Sequence, residues 1–104
     1  KFWIPFMGPA LGTVARIAKK NKSTKVVSII DNIIPHEKRI GDRLLANYFV
    51  KYVDGFISMS DSVMIDLKTF TTTKPAIFTP HPVYDNFGIK IPKKEARAKL
   101  GLNP

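Results

Sequence analysis

Three short apolar runs, separated by longer amphipathic segments, constrain the fold of this chain more than any other feature. The runs are Val26–Ile30, Phe56–Met59 and Ala76–Thr79. Strands that are this short and apolar nearly throughout are typical of a parallel sheet, because the helical crossovers between parallel strands cover both of its faces. The sequence therefore predicts an α/β fold with three layers, in which a short parallel sheet is flanked by helices.

Four segments with helical character accompany these runs. The first begins at Gly8, where the following proline favours a helix start, and the second runs from about Arg39 to Val53. The third begins at Ser60 as its N-cap, and the fourth runs from Pro92 to Leu100. In the first three, an apolar stripe at helical spacing is expected to face inward. In chain order the stripes are Leu11, Val14, Ala15 and Ala18; Ile40, Leu44, Leu45, Tyr48, Phe49 and Tyr52; and Val63, Met64, Leu67 and Phe70.

The charge of the chain limits the kinds of partner that it could bind but does not decide among them. Its 104 residues, enough for one domain, include 17 Lys and Arg against 8 Asp and Glu, so the net charge is +9. Basic residues concentrate in segments 1–25 and 90–99, which suits nucleic acid, anionic lipid or a phosphorylated substrate. The absence of cysteine excludes disulfides and thiolate metal sites, and two histidines alone argue against a zinc site.

No targeting or membrane-spanning segment is evident in the sequence. The apolar runs stay well below the roughly 18 residues that a transmembrane helix needs. The sequence begins without methionine and ends at Asn103-Pro104, just after a predicted helix. We therefore expect a piece of a longer protein.

Polar side chains follow each predicted strand. Right-handed crossovers bring the carboxyl ends of parallel strands to one edge of the sheet, where open α/β sheets bind their ligands. Asp31, Ser60 and His81 are therefore expected near one rim. Asp31 and Asn32 could bond a sugar hydroxyl or a reacting group, or only their own turn. Ser60 could serve only as a helix cap, or the backbone amides of its helix could bind an anion. His81, between two prolines, could belong to the site or could do no more than stiffen the chain.

His36 and Glu37 follow the first rim position and are the most chemically versatile pair in the chain. Histidine titrates near neutrality, so the pair could supply acid or base chemistry, or it could instead cap the coming helix. No glycine-rich phosphate loop and no Ser-His-Asp order occurs in the sequence. A complete catalytic set is therefore not visible within these residues.

Five segments in a fixed order carry a resemblance to a known enzyme family. They read FWIPFMGPALGTVARIAKK, SIIDNIIPHE, YVDGFISMSDSV, AIFTPHPVYDNFG and KKEARAKLGLNP. Their order resembles the second half of the N-terminal domain of GT-B glycosyltransferases, especially family 4. The resemblance implies a Rossmann-like half-domain over residues 1–80, and over 81–104 the interdomain crossover with the start of a C-terminal domain.

The resemblance also implies an activity and its reactants. Such enzymes move a sugar from a nucleotide-sugar donor to a sugar or lipid-linked acceptor, usually with retention and without a metal or other cofactor. Their N-terminal domain shapes the acceptor side, and their C-terminal domain binds the donor, commonly through an E-x7-E motif. We therefore expect this chain to be inactive by itself and its parent enzyme to be cytoplasmic, with peripheral contact to the inner, anionic face of the membrane.

The resemblance gives eight residues of this chain a role. Only Asp31 carries over directly, because Ile30 stands where the family often has a histidine before the aspartate. Asp31 and His36 are the expected catalytic residues, and Lys38 and Arg39 are expected to meet phosphate on the acceptor. The expected substrate-binding residues are Asn32, Glu37, Lys38, Arg39, Ser60 and His81.

Two other classes of function remain open on the sequence alone. The positive charge would suit a small nucleic-acid-binding module. No nucleic-acid-binding signature is present, however, and we do not expect nucleic acid as a partner. The aromatic residues Phe2, Trp3 and Phe6 could stack on bases, but their apolar neighbours favour a buried junction between a strand and a helix. A structural domain that pairs through an exposed sheet edge is the other alternative. The helix from Leu11 to Lys20 has a basic face that could meet anionic lipid, but we expect its apolar stripe to pack on the sheet.

Overall fold

The computed structural model describes residues 1–103, in which short strands alternate with helices. The strands are β1 (Val27–Ile30), β2 (Gly55–Ser58) and β3 (Ala76–Phe78). The helices are α1 (Gly8–Ala18), α2 (Asp42–Tyr52), α3 (Asp61–Lys68) and α4 (Lys93–Lys99), with short 3-10 turns before and after α1 at Pro5–Met7 and Lys19–Asn21. Every predicted strand and helix is therefore present.

The strands form one parallel sheet in the order β1-β2-β3. Phe2 extends this sheet beyond β1, where it pairs in parallel with Ile30. The Phe2 amide donates to the Ile29 carbonyl at 2.8 Å, and the Asp31 amide donates to the Phe2 carbonyl at 2.9 Å. The predicted α/β class, a short parallel sheet flanked by helices, is confirmed.

The two faces of the sheet differ in their cover. On one face Ile30, Phe56 and their neighbours are buried under α2 and α3. On the other face Val27, Ile29 and Ile77 are 62%, 39% and 63% exposed. Because strand order follows chain order, right-handed crossovers carry successive helices to the same face. Within residues 1–103 the helices thus cover one face of the sheet, although the sequence predicted cover on both faces. The uncovered face, with Val27, Ile29 and Ile77, is here called the open face.

Small residues allow α1 to approach α2 closely. Gly8 and Gly12 are buried, together with Ala15. A Cβ atom at Gly8 would overlap the carbonyl oxygen of Leu45, and one at Gly12 would lie 2.7 Å from the ring of Tyr48. The glycines therefore form the contact surface of α1, and the helix spacing depends on their lack of side chains.

Several apolar residues that were predicted to face inward are exposed. In α1 the inward face follows the glycines, so the prediction is wrong at Val14 and Ala18. In α2 the buried residues are Ala46, Phe49 and Val50. The predicted inward stripe is therefore confirmed at Phe49 and wrong at Ile40 and Leu44, which are exposed, while Leu45, Tyr48 and Tyr52 are half-buried. The predicted buried junction holds only for Phe2, which stacks on Phe49 at a ring-centroid distance of 4.5 Å. The large residues left exposed by these differences are Trp3, Phe6, Val14, Ile40 and Leu44.

Residues 80–103, here called the C-terminal arm, extend away from the rest of the chain. Val83 and Ile89 are 92% and 94% exposed, and α4 contains no buried residue. The chain measures 59 × 33 × 23 Å and has a radius of gyration of 19.4 Å, against about 13 Å for a compact domain of this length. Of the helices in residues 1–103, none combines the length and the apolar character required to cross a membrane.

Candidate functional site

Two adjoining hollows lie at the carboxyl edge of the sheet and share Asp31 and Ser60. The larger, of about 640 Å³, is also lined by Asn32, His36 and Lys38. This arrangement follows from the parallel topology, because β1 and β2 both end at this edge. Five of the eight predicted site residues therefore meet in one cleft.

The smaller hollow, of about 350 Å³, brings His81 to the same two residues. Its lining includes Lys1 and Met59 beside Asp31 and Ser60. His81 follows β3 by three residues, and its ring lies 5.6 Å from the ring of Tyr84. His81 thus joins the rim through the end of the third strand, as the strand order predicted.

Glu37 and Arg39 lie elsewhere. They line a separate hollow of about 210 Å³ with Ile4 and Phe6. The loop between β1 and α2 has no regular structure, so successive side chains can point to different sides. The sequence predicted that His36 and Glu37 act as a pair. In the structure they line different hollows, His36 the larger rim cleft and Glu37 the separate hollow beside Ile4.

A lysine that the sequence did not single out holds the central carboxylate. Lys1 Nζ lies 2.8 Å from Asp31 Oδ2, and the Asp31 side chain is about one quarter exposed. The pairing depends on the strand-like position of Phe2 beside Ile30, which brings the start of the chain to the rim. A carboxylate held in this way presents its remaining lone pairs to the cleft as hydrogen-bond acceptors.

The local roles considered for Asp31, Asn32 and Glu37, in the turn after β1 and at the start of α2, are not seen among the described hydrogen bonds. Within the described residues, no hydrogen bond joins the side chain of Asn32 to its own turn, and the Asp31 carboxylate pairs with Lys1. Glu37 does not cap α2, which begins five residues later at Asp42, after Gly41 with a φ of +91°. The Asp42 carboxylate instead accepts from the Arg39 amide at 2.8 Å.

Three hydrogen-bonded serines lie at the turn between β2 and α3. The fully buried Ser58 donates through Oγ to the Ser60 carbonyl at 2.9 Å and accepts from the Ser60 amide at 3.3 Å. Ser60 Oγ and Ser62 Oγ lie 2.8 Å apart, and both residues line the larger hollow. Ser60 is the N-cap residue of α3, but its side chain makes no capping hydrogen bond. Its hydroxyl is directed to Ser62 and the cleft.

A basic hollow of about 270 Å³ adjoins the start of α2. Its apolar floor includes Ile33, Ile34 and Phe70, and Lys38, Arg39 and Arg43 supply its positive charge. Arg43 stacks over the Phe70 ring at 4.4 Å and donates to the Thr69 carbonyl at 2.6 Å. The sequence pattern did not indicate Arg43 as a site residue, because its contact with Phe70 joins residues that are far apart in the chain. Lys38 belongs to both this hollow and the larger rim cleft.

The composition of the cleft defines what it could hold. In residues 1–103, no three histidine or acidic side chains lie close enough together to bind a metal ion. The rim combines a paired carboxylate, an imidazole, an amide, hydroxyl groups and an ammonium group, which suit a polyhydroxylated ligand with a nearby negative charge.

Comparison with family models, curated proteins and solved structures finds no match to this chain. The resemblance to family 4 glycosyltransferases therefore stays a prediction, and so do the roles it implies for individual residues.

Proposed function

We propose that this chain is the acceptor-side half-domain of a GT-B glycosyltransferase of the family 4 type. The parent enzyme transfers a sugar from a nucleotide-sugar donor to an acceptor hydroxyl with retention. The observation that carries the proposal is the cleft in which Asp31, His36 and Ser60 meet at the carboxyl edge of a parallel sheet. The order of the five family-like segments supports it.

Some rim side chains bind the substrates by hydrogen bonds, and His36 takes part in proton transfer. Asp31, held by Lys1, accepts hydrogen bonds from substrate hydroxyls. His36 accepts the proton of the acceptor hydroxyl as that oxygen bonds to the sugar and the nucleotide leaves the donor. Asn32, Ser60 and His81 orient the acceptor by hydrogen bonds.

The basic side of the loop binds phosphate on the acceptor. Lys38 lies between the rim cleft and the basic hollow, where Arg39 and Arg43 add two guanidinium groups. Guanidinium groups bind phosphate oxygens through paired hydrogen bonds. Glu37, on the side of Arg39, contacts the acceptor from outside the cleft.

The remaining parts of the reaction belong to the whole enzyme. The nucleotide-sugar donor is a substrate bound mainly by a second α/β domain with an E-x7-E motif. The reaction uses no metal or other cofactor and takes place in the cytoplasm. The 104-residue chain by itself then gives no sugar transfer.

The test uses the enzyme encoded by the complete reading frame. We expect Asp31→Asn to lower kcat/KM by about a hundredfold or more, the range of a lost catalytic interaction. His36→Asn should lower it as well, because the side chain that takes the proton of the acceptor hydroxyl is lost. Lys25→Gln, exposed at the amino edge of the sheet and opposite the cleft, is the control and should leave the rate unchanged.

Two results would contradict the proposal. One is a reading frame that encodes no second α/β domain with an E-x7-E motif. The other is tight binding of oligonucleotides by the isolated chain that weakens steeply with salt, which would favour a nucleic-acid-binding module.

A further inference from the structure

Asp66 lines the larger rim cleft, although neither the sequence pattern nor the family resemblance indicated it. It belongs to α3 and lies on the same side of that helix as Ser62, one turn earlier, which lines the cleft as well. Asp66 is half-buried. The loop after β1 supplies Asp31 and His36 to the same cleft. The cleft therefore contains carboxylates from two different parts of the chain.

Within residues 1–103, the Asp66 carboxylate takes part in no ion pair and no side-chain hydrogen bond. The side chains three or four positions away, which a helix brings within reach, are all uncharged: Ser62, Val63, Thr69 and Phe70. Lys68, two positions away, does not face it. At the rim, Lys1 is already paired with Asp31. The charge of Asp66 is therefore uncompensated in a chain that has 17 basic residues.

The position of Asp66 within α3 also disfavours a negative charge. Asp66 lies in the last turn of the helix, where the carbonyl groups make the helix end partly negative. Asp61, in the first turn of the same helix, has the favourable arrangement. Residues that oppose a local rule of stability are expected at sites that bind a ligand, because binding rather than folding then determines them.

We propose that Asp66 is a further binding residue of the rim cleft and that it selects an acceptor sugar with a free amino group. An ammonium group supplies the cation that the fold does not, and it forms a charge-assisted hydrogen bond with the carboxylate. A neutral hydroxyl gains less, because water bonds the carboxylate about equally well. A carboxylate on the sugar is repelled. This inference rests on the proposed function, in which the cleft holds the acceptor.

Sugar binding by the 104-residue chain tests this inference, with the NMR chemical shifts of the Asp31 and Ser60 amides as the readout. The probes are methyl glucosides with an ammonium group at C2, C3 or C6, together with neutral methyl glucoside and anionic methyl glucuronide. We expect one of the amino glucosides to bind about fivefold more tightly than methyl glucoside, which is the upper range of an ion pair at a partly exposed site. Methyl glucuronide should bind most weakly.

Asp66→Asn and Asp61→Asn form a matched pair of variants. Both remove one acid from α3, but Asp61 is exposed and does not belong to the lining of the larger cleft. Asp66→Asn should reduce the preference for the amino glucoside over methyl glucoside from about fivefold to less than about twofold, because the ion pair is lost. Asp61→Asn should leave the preference unchanged.

Stability separates a binding role from a structural one. Because the two variants lose the same charge at opposite ends of one helix, the urea midpoint of Asp66→Asn should lie above that of Asp61→Asn. A midpoint below it would mean that Asp66 stabilises the fold, and would overturn the inference. Equal binding of amino and neutral glucosides, or a preference that persists in Asp66→Asn, would also overturn it but leave the proposed acceptor cleft intact. If no probe shifts the amides of Asp31 and Ser60, the inference and the acceptor cleft both fail.

Discussion

Asp54 joins two parts of the chain at the amino edge of the sheet, opposite the candidate site. Its carboxylate accepts from Lys19 Nζ at 2.7 Å and from the Val26 amide at 2.8 Å. The hydrogen bond from Lys19, followed by that from Val26, lowers the pKa of Asp54 below its usual range. The residue therefore ties the end of α1 and the start of β1 to the turn before β2.

The pH dependence of stability follows from this lowered pKa. The folded state favours the ionised carboxylate, so its contribution is complete above the ordinary aspartate pKa of about 4 and is lost as pH falls through the lower folded value. Asp54→Asn should lower the midpoint of urea unfolding at pH 7 and should flatten the decline in stability below about pH 4. Asp85→Asn in the exposed arm is the control. If the Asp54→Asn curve runs parallel to that of the natural chain down to pH 2, the carboxylate has no such role.

At the scale of elements, two helices meet through glycine. Helix propensity alone predicts that Gly→Ala within α1 stabilises the chain by up to about 1 kcal/mol. Packing predicts the opposite at Gly8, where the new Cβ atom would overlap the fixed backbone carbonyl of Leu45. We expect Gly8→Ala to lower the free energy of unfolding by about 1–3 kcal/mol, as overpacking does. Gly12→Ala should cost less, because the Tyr48 side chain that it meets can move.

Denaturant unfolding of both variants decides between the two effects. A stabilised Gly8→Ala variant would mean that α1 and α2 are farther apart in solution than their contact requires. The Ala10→Gly variant, on the exposed side of α1, supplies the size of the propensity effect without a packing change.

The end of α2 depends on a single distant lysine. Lys74 Nζ donates to the carbonyls of Val50, Lys51 and Val53 at 2.6, 2.9 and 2.7 Å. These carbonyls lie at the C-terminal end of the helix, where a cation also interacts favourably with the helix dipole. We expect Lys74→Met to lower the free energy of unfolding by about 1–2 kcal/mol. Lys90→Met in the arm should change it by less than about 0.5 kcal/mol in the same urea titration; equal effects would show that the three hydrogen bonds do not stabilise the helix.

Features that depend on neighbouring residues could be predicted from the sequence, whereas features that depend on contacts between residues far apart in the chain could not. The strands and most helix ends were predictable to within about a residue because β-branched runs, prolines and glycines act within a few residues. The start of α2 was not: the helix begins at Asp42, three residues after the predicted Arg39, since Gly41 before it has a φ of +91°. The inward face of α1 was not, since a close helix contact favoured Gly8 and Gly12 over the larger Val14. At the candidate site, parallel topology was enough to bring Asp31, Ser60 and His81 together. The pairing of Lys1 with Asp31 and the separation of Glu37 from His36 depend on a short edge pairing and on the path of an irregular loop.

At the scale of the whole molecule, two apolar surfaces stand apart from the single core. One is the open face of the sheet, and the other is the C-terminal arm, whose large apolar residues are all exposed to some degree. The core itself is built from the covered side of the sheet, α2 and α3, with Phe2 stacked at its edge. Folding of the core therefore does not require the arm.

Removal of the arm tests this division directly. A chain that ends at Pro80 loses no buried residue described here, so its free energy of unfolding should stay within about 0.5 kcal/mol of the full chain. Small-angle X-ray scattering should give a radius of gyration near 19 Å for the full chain, as in the structure, and about 12 Å for the shortened one. A value near 13 Å for the full chain would mean instead that the arm folds back onto the core. In that case its removal should also destabilise the core and increase the binding of a hydrophobic dye to the open face, where Val27 and Ile77 would lose their cover.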